Sequence, residues 1–309
     1  MIFKNLKEKL IHYRLNRAYR RATQVTGHNK IIIFSDHHKG IGDAADDFKQ
    51  CASTYTKALN YYFQAGYTLI LLGDIEELWE NDINDVIKAN KDSFEQEAQF
   101  YHDKRYFRCF GNHDLQWSRP QTVTQYFKTN YPNLTVTESI LITIGQQRFF
   151  LTHGHQGDIM SDLFAPLSKI LVRSFWRWYQ LISKQKLSSL SDHFNQIQWH
   201  DHVLYNWITS QPNLKLITGH THRPIWLSQT KEEQNTSQLT EKQPVYFNTG
   251  CCSYADGDIT GIELHQDSIQ LIKFSSHSSN KIDLATLKWS EINQKRLKKY
   301  KQYNKTATF

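Results

Sequence analysis

The chain has 309 residues and a formal charge of +7, from 37 Lys and Arg against 30 Asp and Glu. Hydrophobic residues make up 39% and charged residues 22%, with only 13 Gly and 6 Pro, which excludes a wholly disordered chain and a collagen-like repeat. The sequence has no apolar run near the ~20 residues that span a bilayer and no secretory signal at its start, so we expect a cytoplasmic protein.

Residues 1–29 are predicted to form a basic amphipathic helix. Leu6, Leu10 and Tyr13 recur at helical spacing among Lys and Arg residues. This pattern is typical of a helix that lies on an anionic membrane or touches nucleic acid, and it equally fits a solvated helix docked on the domain. The acidic excess of residues 31–287 argues against a long nucleic-acid track, which needs Lys and Arg along the groove.

Short apolar runs along the middle of the chain are typical of strands buried on both faces. A first set of five comprises Lys30–Ser35, Thr68–Leu72, Tyr106–Phe110, Arg148–Thr152 and Leu214–Thr218. Helix-compatible stretches at Phe48–Gln64 and Val86–Tyr101 separate the first three, which gives a βαβαβ order. Other runs, expected in a second sheet, are Ile140–Ile144, Val245–Asn248 and Gly261–Leu264. We therefore predict an α/β fold with two β-sheets packed face to face and flanked by helices.

Residues 157–210 contain no strand candidate and are predicted to be a helical insertion. Apolar residues from Leu163 to Ile182 recur every three or four positions, with cations interleaved. The insertion lies inside a predicted domain of residues 30–275, followed by a basic tail at 276–309. We expect the insertion and residues 1–29 to make peripheral contact with an anionic membrane. A purely structural insertion is the alternative.

Each of the five strand candidates in the first set ends in side chains that can bind a metal. The candidate ligands are Asp36, His38, Asp74, Asn112, His153, His220 and His222. Ligands of α/β sheets gather beyond the carboxyl ends of the strands, so we expect these residues to converge. Asp, His and Asn without Cys favour Mn²⁺, Fe²⁺ or Zn²⁺. Because there are more ligands than one ion can use, the pattern indicates a centre with two divalent metal ions.

In order, the motifs D-x-H, GD, GNHD, H and GHTH resemble the calcineurin-like metallophosphoesterases over residues 30–265. The resemblance implies that one ion is bound by Asp36, His38, Asp74 and His222. It implies that the other is bound by Asp74, Asn112, His153 and His220, with Asp74 bridging the two. Mn²⁺ is the expected metal, with Fe²⁺ or Zn²⁺ as alternatives.

The expected reaction is hydrolysis of a phosphomonoester, a phosphodiester or a pyrophosphate by in-line attack of a metal-bound hydroxide. His113 is the candidate acid that protonates the leaving oxygen, and Asp114 is expected to orient it. Glu76 and Glu80 are candidates for hydrogen bonds to ligating histidines, or they simply begin a helix.

A narrower resemblance concerns the substrate. Residues 73–79 match the G-D-x-x-E-x-W motif of UDP-2,3-diacylglucosamine hydrolases, and residues 219–224 match their GHTHRP motif. This likeness implies a lipid substrate resembling UDP-diacylglucosamine. The chain differs from those enzymes in having His113 where they have Arg, and Gly154-His155 where they have Asp soon after the lone His. A nuclease or nucleotide phosphodiesterase, and a non-catalytic metal-binding module, are the alternative functions.

Overall fold

The computed structural model describes residues 2–156, 190–229, 244–278 and 280–289. The apolar stripe predicted between Leu163 and Ile182 lies outside the described residues, as does most of the expected insertion. The helices are α1 (Ile2–Arg21), α2 (Ala52–Gln64), α3 (Ile83–Ala89), α4 (Lys91–His102), α5 (Pro120–Phe127) and α6 (Leu190–Thr209).

Twelve strands are present in the described part of the chain. The first six are β1 (Thr23–Val25), β2 (Lys30–Phe34), β3 (Thr68–Leu72), β4 (Tyr106–Cys109), β5 (Val136–Thr137) and β6 (Ser139–Ile144). The others are β7 (Gln147–Thr152), β8 (Lys215–Thr218), β9 (Tyr246–Asn248), β10 (Ile259–His265), β11 (Ser268–Phe274) and β12 (Lys281–Lys288).

The strands form two sheets. The larger has seven strands in the order β12-β11-β10-β2-β3-β4-β5, and the smaller has five in the order β1-β6-β7-β8-β9. Strands β2 to β5 are parallel to one another, as the βαβαβ order predicts, whereas β10, β11 and β12 are antiparallel to their neighbours. In the smaller sheet only the β6–β7 pair is antiparallel. The predicted fold class is confirmed.

Alternation along β2 explains how the sheets are held together. Ile31 and Ile33 point into the core between the two sheets, where they share a cluster with Ile142 and Leu151 of the smaller sheet. Ile32 and Phe34 point the other way, into the cluster beneath α2 and α4. A third cluster packs α1 and α6 on the outer face of the smaller sheet. Because every face of these strands is covered, their sequences read as continuous apolar runs.

Three sequence predictions need correction. The Gly261–Leu264 run belongs to the larger sheet, where β10 pairs with β2, whereas the runs at 148–152 and 214–218 belong to the smaller one. The helix expected at Val86–Tyr101 is divided into α3 and α4 at Asn90, whose side chain donates to the carbonyl of Gly40. Strand β12 continues the larger sheet into the expected tail, because Leu284 and Leu287 are buried between the sheets.

Helix α1 docks on the smaller sheet through a face that the sequence pattern did not identify. Ile11, Leu15 and Ala18 are buried against α6 and the sheet, whereas Leu6 and Tyr13 of the predicted stripe are 66% and 61% exposed. Within the described part of the chain, no helix is both long enough and apolar enough to cross a membrane.

Candidate metal centre

The candidate ligands follow the ends of five strands that point to one edge of the two sheets. Backbone hydrogen bonds hold their loops together within the larger sheet: the amide of Asp36 donates to Gly73 O (3.1 Å), and that of His38 to Asp74 O (3.0 Å). In the smaller sheet, the amide of Gly219 donates to His153 O (3.0 Å). The loops are therefore a continuous backbone scaffold, which fixes the positions of the side chains they carry.

The backbone at several ligand positions is left-handed, which is costly for residues other than Gly. The residues are Asp36, His38, Asp74, His220 and His222, with φ angles of 52°, 51°, 53°, 68° and 55°. Gly73 also has a positive φ of 89°, and a Cβ atom there would lie 2.8 Å from the Cβ of His153. Strained backbone of this kind is concentrated where surrounding structure holds side chains for a function.

One group of ligands consists of Asp36, His38 and His222, which offer three ligand atoms within 4.8 Å of one another. Oδ1 of Asp36 lies 3.2 Å from Nε2 of His222. Nε2 of His222 lies 3.1 Å from Nε2 of His38. Both carboxylate oxygens of Asp36 also accept the backbone amide of His220, at 3.0 and 2.9 Å.

A second group consists of Asp74, His153 and His220, again within 4.8 Å of one another. Oδ2 of Asp74 lies 3.0 Å from Nε2 of His153 and 3.9 Å from Nε2 of His38, so this oxygen faces both groups. Its other oxygen accepts the backbone amide of His113 at 2.8 Å. The seventh predicted ligand, Asn112, is buried, and its Oδ1 atom forms no hydrogen bond.

Two predicted ligand atoms of the centre, Nε2 of His153 and Oδ1 of Asn112, are buried without a hydrogen-bond partner. Nδ1 of His153 donates to the carbonyl of Leu72 (2.9 Å), so the neutral ring presents a lone pair at Nε2, facing the carboxylate of Asp74. Nδ1 of His38 meets the carboxylate of Glu77 (2.9 Å), which likewise leaves the lone pair of Nε2 facing His222. Convergent lone pairs of Asp, His and Asn fit divalent cations of the Mn²⁺, Fe²⁺ or Zn²⁺ type.

Charge in the centre also favours a cation. Burial lowers the pKa of His153, but the carboxylates of Asp74 and Asp36 outweigh this effect and raise the pKa to about 9. For Asp74, burial raises the pKa, and the histidines around it, His153 first, reverse the shift and hold the pKa well below its usual value. Positive charge between these groups is therefore stabilised, and a bound metal ion would displace the proton.

His113 lies beside both groups and is fixed by a carboxylate. Oε2 of Glu77 is 2.6 Å from Nδ1 of His113 and 2.9 Å from Nδ1 of His38. Burial lowers the pKa of His113, but Glu77 and Asp74 raise it to about 9. With Nδ1 held by Glu77, Nε2 is the nitrogen of His113 that can meet a substrate.

The expected partnership between His113 and Asp114 is replaced by the contact with Glu77. The Asp114 carboxylate instead accepts backbone amides of Gly111 (2.6 Å), Ile75 (2.9 Å) and Asp74 (3.3 Å). Burial and the neighbouring carboxylates, Asp74 first, raise its pKa to about 7. The Asp114 carboxylate therefore joins the loop that carries Asp74 to the loop that carries Asn112. It stabilises the backbone of these loops.

Glu76 also differs from its expected position. Its carboxylate is fully buried away from the ligating histidines and pairs with the guanidinium of Arg108 and with Nε1 of Trp117 (2.8 Å). Glu80 lies in the turn that follows, at 78–80. The acidic partner of the histidines is thus Glu77, the Glu of the matched G-D-x-x-E-x-W motif, and not Glu76 or Glu80 as expected.

Two further residues border the centre. The indole of Trp79 lies flat against the imidazole of His113, and its Nε1 donates to the carbonyl of Asn112 (2.7 Å). On the opposite side, Nε2 of His200 on α6 is 2.6 Å from the carbonyl of Gly154, and its ring centroid lies 5.4 Å from that of His220. The sequence offered a signal for Trp79, its place in the matched motif, but none for His200.

Comparisons with known proteins give one family match and several distant structural similarities. The sequence model of a family described as calcineurin-like phosphoesterase matches residues 29–224. A conserved uncharacterized protein from Streptococcus pneumoniae TIGR4, titled a predicted phosphoesterase, is 13% identical, with 84% of this chain and 99% of that chain covered and a TM-score of 0.35. Vacuolar protein sorting 29 from Cryptosporidium parvum is 12% identical (85% and 98% covered, TM-score 0.42).

A third solved structure, described as a novel archaeal phosphodiesterase, is 18% identical, with 84% of this chain and 99% of that chain covered and a TM-score of 0.38. No curated protein matches the sequence.

Proposed function

The chain belongs to the calcineurin-like phosphoesterase family of metal-dependent hydrolases, and from this premise we propose that it hydrolyses phosphoesters at a centre of two divalent metal ions. One ion would be held by Asp36, His38 and His222, and the other by Asn112, His153 and His220, with Asp74 shared between them. Mn²⁺ is the proposed metal, with Fe²⁺ or Zn²⁺ as alternatives.

The observation that supports this proposal best is the position of one carboxylate oxygen. Oδ2 of Asp74 faces His153 of one ligand group at 3.0 Å and His38 of the other at 3.9 Å. A single oxygen between two sets of imidazole lone pairs is the arrangement that a bridging ligand needs. Bound divalent ions would supply charge neutralisation for the phosphate and would lower the pKa of a coordinated water.

The side chains of the protein would carry the remaining steps. Nε2 of His113 would donate a proton to the leaving oxygen, because Nδ1 is held by Glu77 and the ring cannot turn without losing that hydrogen bond. In the metal-free protein, Glu77 and Asp74 raise the pKa of His113 and so favour the protonated ring that an acid requires. Asp114 would maintain the spacing of the loops through its three backbone contacts.

The natural substrate that we propose is a lipid resembling UDP-diacylglucosamine. The G-D-x-x-E-x-W motif, which suggests a UDP-diacylglucosamine-like lipid, contains Asp74, whose Oδ2 lies 3.0 Å from His153. It also contains Glu77, which contacts His113, and Trp79, which stacks on the same ring, and these contacts support the lipid as the proposed substrate. His113 in place of Arg favours a general phosphoesterase, in which an acid protonates the leaving group. Nucleotides and nucleic acids are the alternative substrates.

A hydrolysis screen of the Mn²⁺-loaded protein tests the proposal. The substrates would be p-nitrophenyl phosphate, bis-p-nitrophenyl phosphate, UDP-sugars, UDP-diacylglucosamine and single-stranded DNA, each with the Asp74→Asn variant as the matched control. We expect turnover of at least one phosphoester that requires Mn²⁺ and is lost in the variant. Equal rates for the two proteins on every substrate would contradict catalysis at this centre and favour a metal-binding module.

A further inference from the structure

Helix α1 presents two different faces on opposite sides. Its buried face, Ile11, Leu15 and Ala18, packs on the smaller sheet and on α6. At about 100° per residue, a second set of residues falls within a sector of roughly 80° on the opposite side of the helix. These residues are Leu6, Lys9, Tyr13, Arg17 and Arg20, and all five are exposed. We call this set the outer face of α1.

The outer face combines apolar side chains with cations. Leu6 and Tyr13 are 66% and 61% exposed, the two highest values among the large hydrophobic residues exposed in the described part of the chain. Lys9, Arg17 and Arg20 lie between and beyond them, and Nε of Arg20 donates to Asn16 O on the same helix. The outer face contains no acidic residue, and Glu8, the acid of α1, contacts Asn206 of α6 on the docked side.

We propose that the outer face of α1 binds the surface of an anionic lipid bilayer. Cations near such a surface are attracted to its phosphate groups. Leu and Tyr side chains stabilise the bound state when they enter the boundary between headgroups and acyl chains. The phosphates of a nucleic acid would attract the cations, but they would not bury an exposed leucine. A lipid surface can do both, so it fits the composition of the face better.

The way α1 is held supports binding as a rigid unit. His12 lies 3.3 Å from the carbonyl of Val203, and Asn16 accepts the indole N–H of Trp207 at 3.1 Å, so contacts with α6 run along the helix. The helix therefore needs no detachment from the domain to reach a surface. Its outer face already points away from the protein.

Contacts between α1 and α6 also lie close to the candidate metal centre. Nζ of Lys7 lies 5.2 Å from the ring centroid of Trp199, which precedes His200, the α6 residue beside His220. The N-terminal half of α1 is thus at the end of the molecule that holds the ligands. Access of the centre to lipid-linked phosphoesters would follow, and this consequence rests on the proposed function, whereas the lipid binding itself does not.

Vesicle flotation with the full chain tests the proposal. The probes are vesicles of phosphatidylcholine alone and of phosphatidylcholine with phosphatidylglycerol, at low and high salt. We expect binding to the anionic vesicles only, and weaker binding at high salt because the charges are screened. Arg17→Glu with Arg20→Glu should lower the vesicle partition coefficient by about tenfold or more, since each cation contributes a severalfold factor.

Matched controls distinguish binding by the outer face from effects of net charge and from nonspecific hydrophobic binding. Lys49→Glu with Lys57→Glu changes the net charge by the same amount at exposed positions elsewhere and should leave binding unchanged. Leu6→Gln with Tyr13→Ser should weaken binding, whereas Tyr61→Ser with Ile282→Gln, at the exposed hydrophobic residues of α2 and β12, should not. Melting temperatures establish that each variant is folded.

Three outcomes would overturn the proposal. They are equal losses in the outer-face and control variants, no binding to anionic vesicles by the folded chain, and outer-face variants that lose single-stranded DNA binding while vesicle binding is retained. Hydrolysis of p-nitrophenyl phosphate by the Arg17→Glu, Arg20→Glu variant should equal that of the unmodified protein. Failure of lipid binding is therefore distinguishable from failure of the proposed function.

Discussion

The indole of Trp79 stacks on the imidazole of His113, with ring centroids 4.1 Å apart and planes inclined by 17°. The ring of His113 is also held at Nδ1 by Glu77 and touched edge-on by His38, with centroids 4.6 Å apart. A side chain fixed at one face, one edge and one nitrogen keeps its free nitrogen in a single position. Precise placement of this kind is what an acid in a phosphoester hydrolase requires.

The first prediction concerns this stack. Replacing Trp79 by Leu removes the aromatic face, so His113 should gain rotational freedom and turnover should fall by about tenfold, within the range of a misplaced catalytic group. Metal content should stay unchanged, because the hydrogen bond of Trp79 goes to the backbone carbonyl of Asn112 and not to the Asn112 side chain, which is the candidate ligand. The measurement is kcat on an ester with a poor leaving group, such as phenyl phosphate, together with elemental analysis.

Trp79→Phe is the matched variant, because it keeps a ring while losing the indole N–H. If stacking orients His113, Phe should retain most of the activity that Leu loses. Equal losses with Phe and Leu would mean that the hydrogen bond to the Asn112 carbonyl is what matters, and loss of metal in either variant would assign Trp79 a role in the metal centre itself.

The second prediction separates the acid from the residue that orients it. His113→Ala should keep both metal ions and lower turnover by roughly 10²- to 10⁴-fold on esters with poor leaving groups. The loss should be smaller for p-nitrophenyl phosphate, whose leaving oxygen needs no proton. A loss of the same size for both kinds of ester would argue against protonation by His113.

Glu77→Gln is expected to behave differently, since Glu77 contacts both His113 and the ligand His38. The amide keeps a hydrogen-bonding group but removes the negative charge, so both metal affinity and turnover should decrease. Metal binding by titration calorimetry and kcat on the same preparation measure the two effects. Unchanged metal affinity would restrict the role of Glu77 to His113.

The third prediction concerns the shared carboxylate. Asp74→Ala removes the oxygen that faces both ligand groups, so both ions should be lost together. Asn112→Ala removes a ligand assigned to one group and should weaken one ion more than the other. Elemental analysis after dialysis against Mn²⁺ gives the occupancy. Two ions per chain retained in Asp74→Ala would disprove the assignment of Asp74 as the ligand shared by both ions.

Much of the fold was predictable because its strands are buried on both faces. The Thr68–Leu72 run is a strand with the same bounds in the structure, because its four consecutive apolar residues, 69–72, can all be buried only in a strand covered on both faces. The sequence was a weaker guide to which of the two sheets each strand joins. Gly261–Leu264 resembles the other runs in composition, and its pairing with β2 depends on contacts across more than 200 residues.

The convergence of the candidate ligands was predictable for a related reason, because strands that end at one edge bring their loops together. The contacts behind the ligands were not. Simple alternation after Asp74 would place Glu76 on the side of the centre, but the left-handed backbone at Asp74 breaks that alternation, so Glu77 reaches His113 and Glu76 turns to Arg108. Simple alternation cannot reveal such local backbone strain, whereas the matched G-D-x-x-E-x-W motif does include Glu77.

The last prediction concerns a buried ion pair directly behind the centre. Lys39 follows the candidate ligand His38, and Nζ of Lys39 lies 2.5 Å from Oε1 of Glu97 on α4, with both side chains fully buried. The ring of Phe94 lies 4.7 Å from the same ammonium. Removing one partner would leave a charge in an apolar environment, whereas removing both would leave only a packing defect.

Glu97→Leu alone should therefore lower the free energy of unfolding by about 3–5 kcal/mol, and Lys39→Met with Glu97→Leu should be more stable than that single variant. Urea unfolding of the metal-free chain measures these differences, and the exposed pair Lys91 and Glu95, treated in the same way, is a control expected to change stability by less than about 1 kcal/mol. Because Lys39 is the next residue after His38, the single variant should also bind Mn²⁺ more weakly, and the double variant should recover part of that affinity. A double variant whose loss of stability equals the sum of the two single losses would show that the charges do not interact, and the ion pair would then have no part in holding the ligand loop.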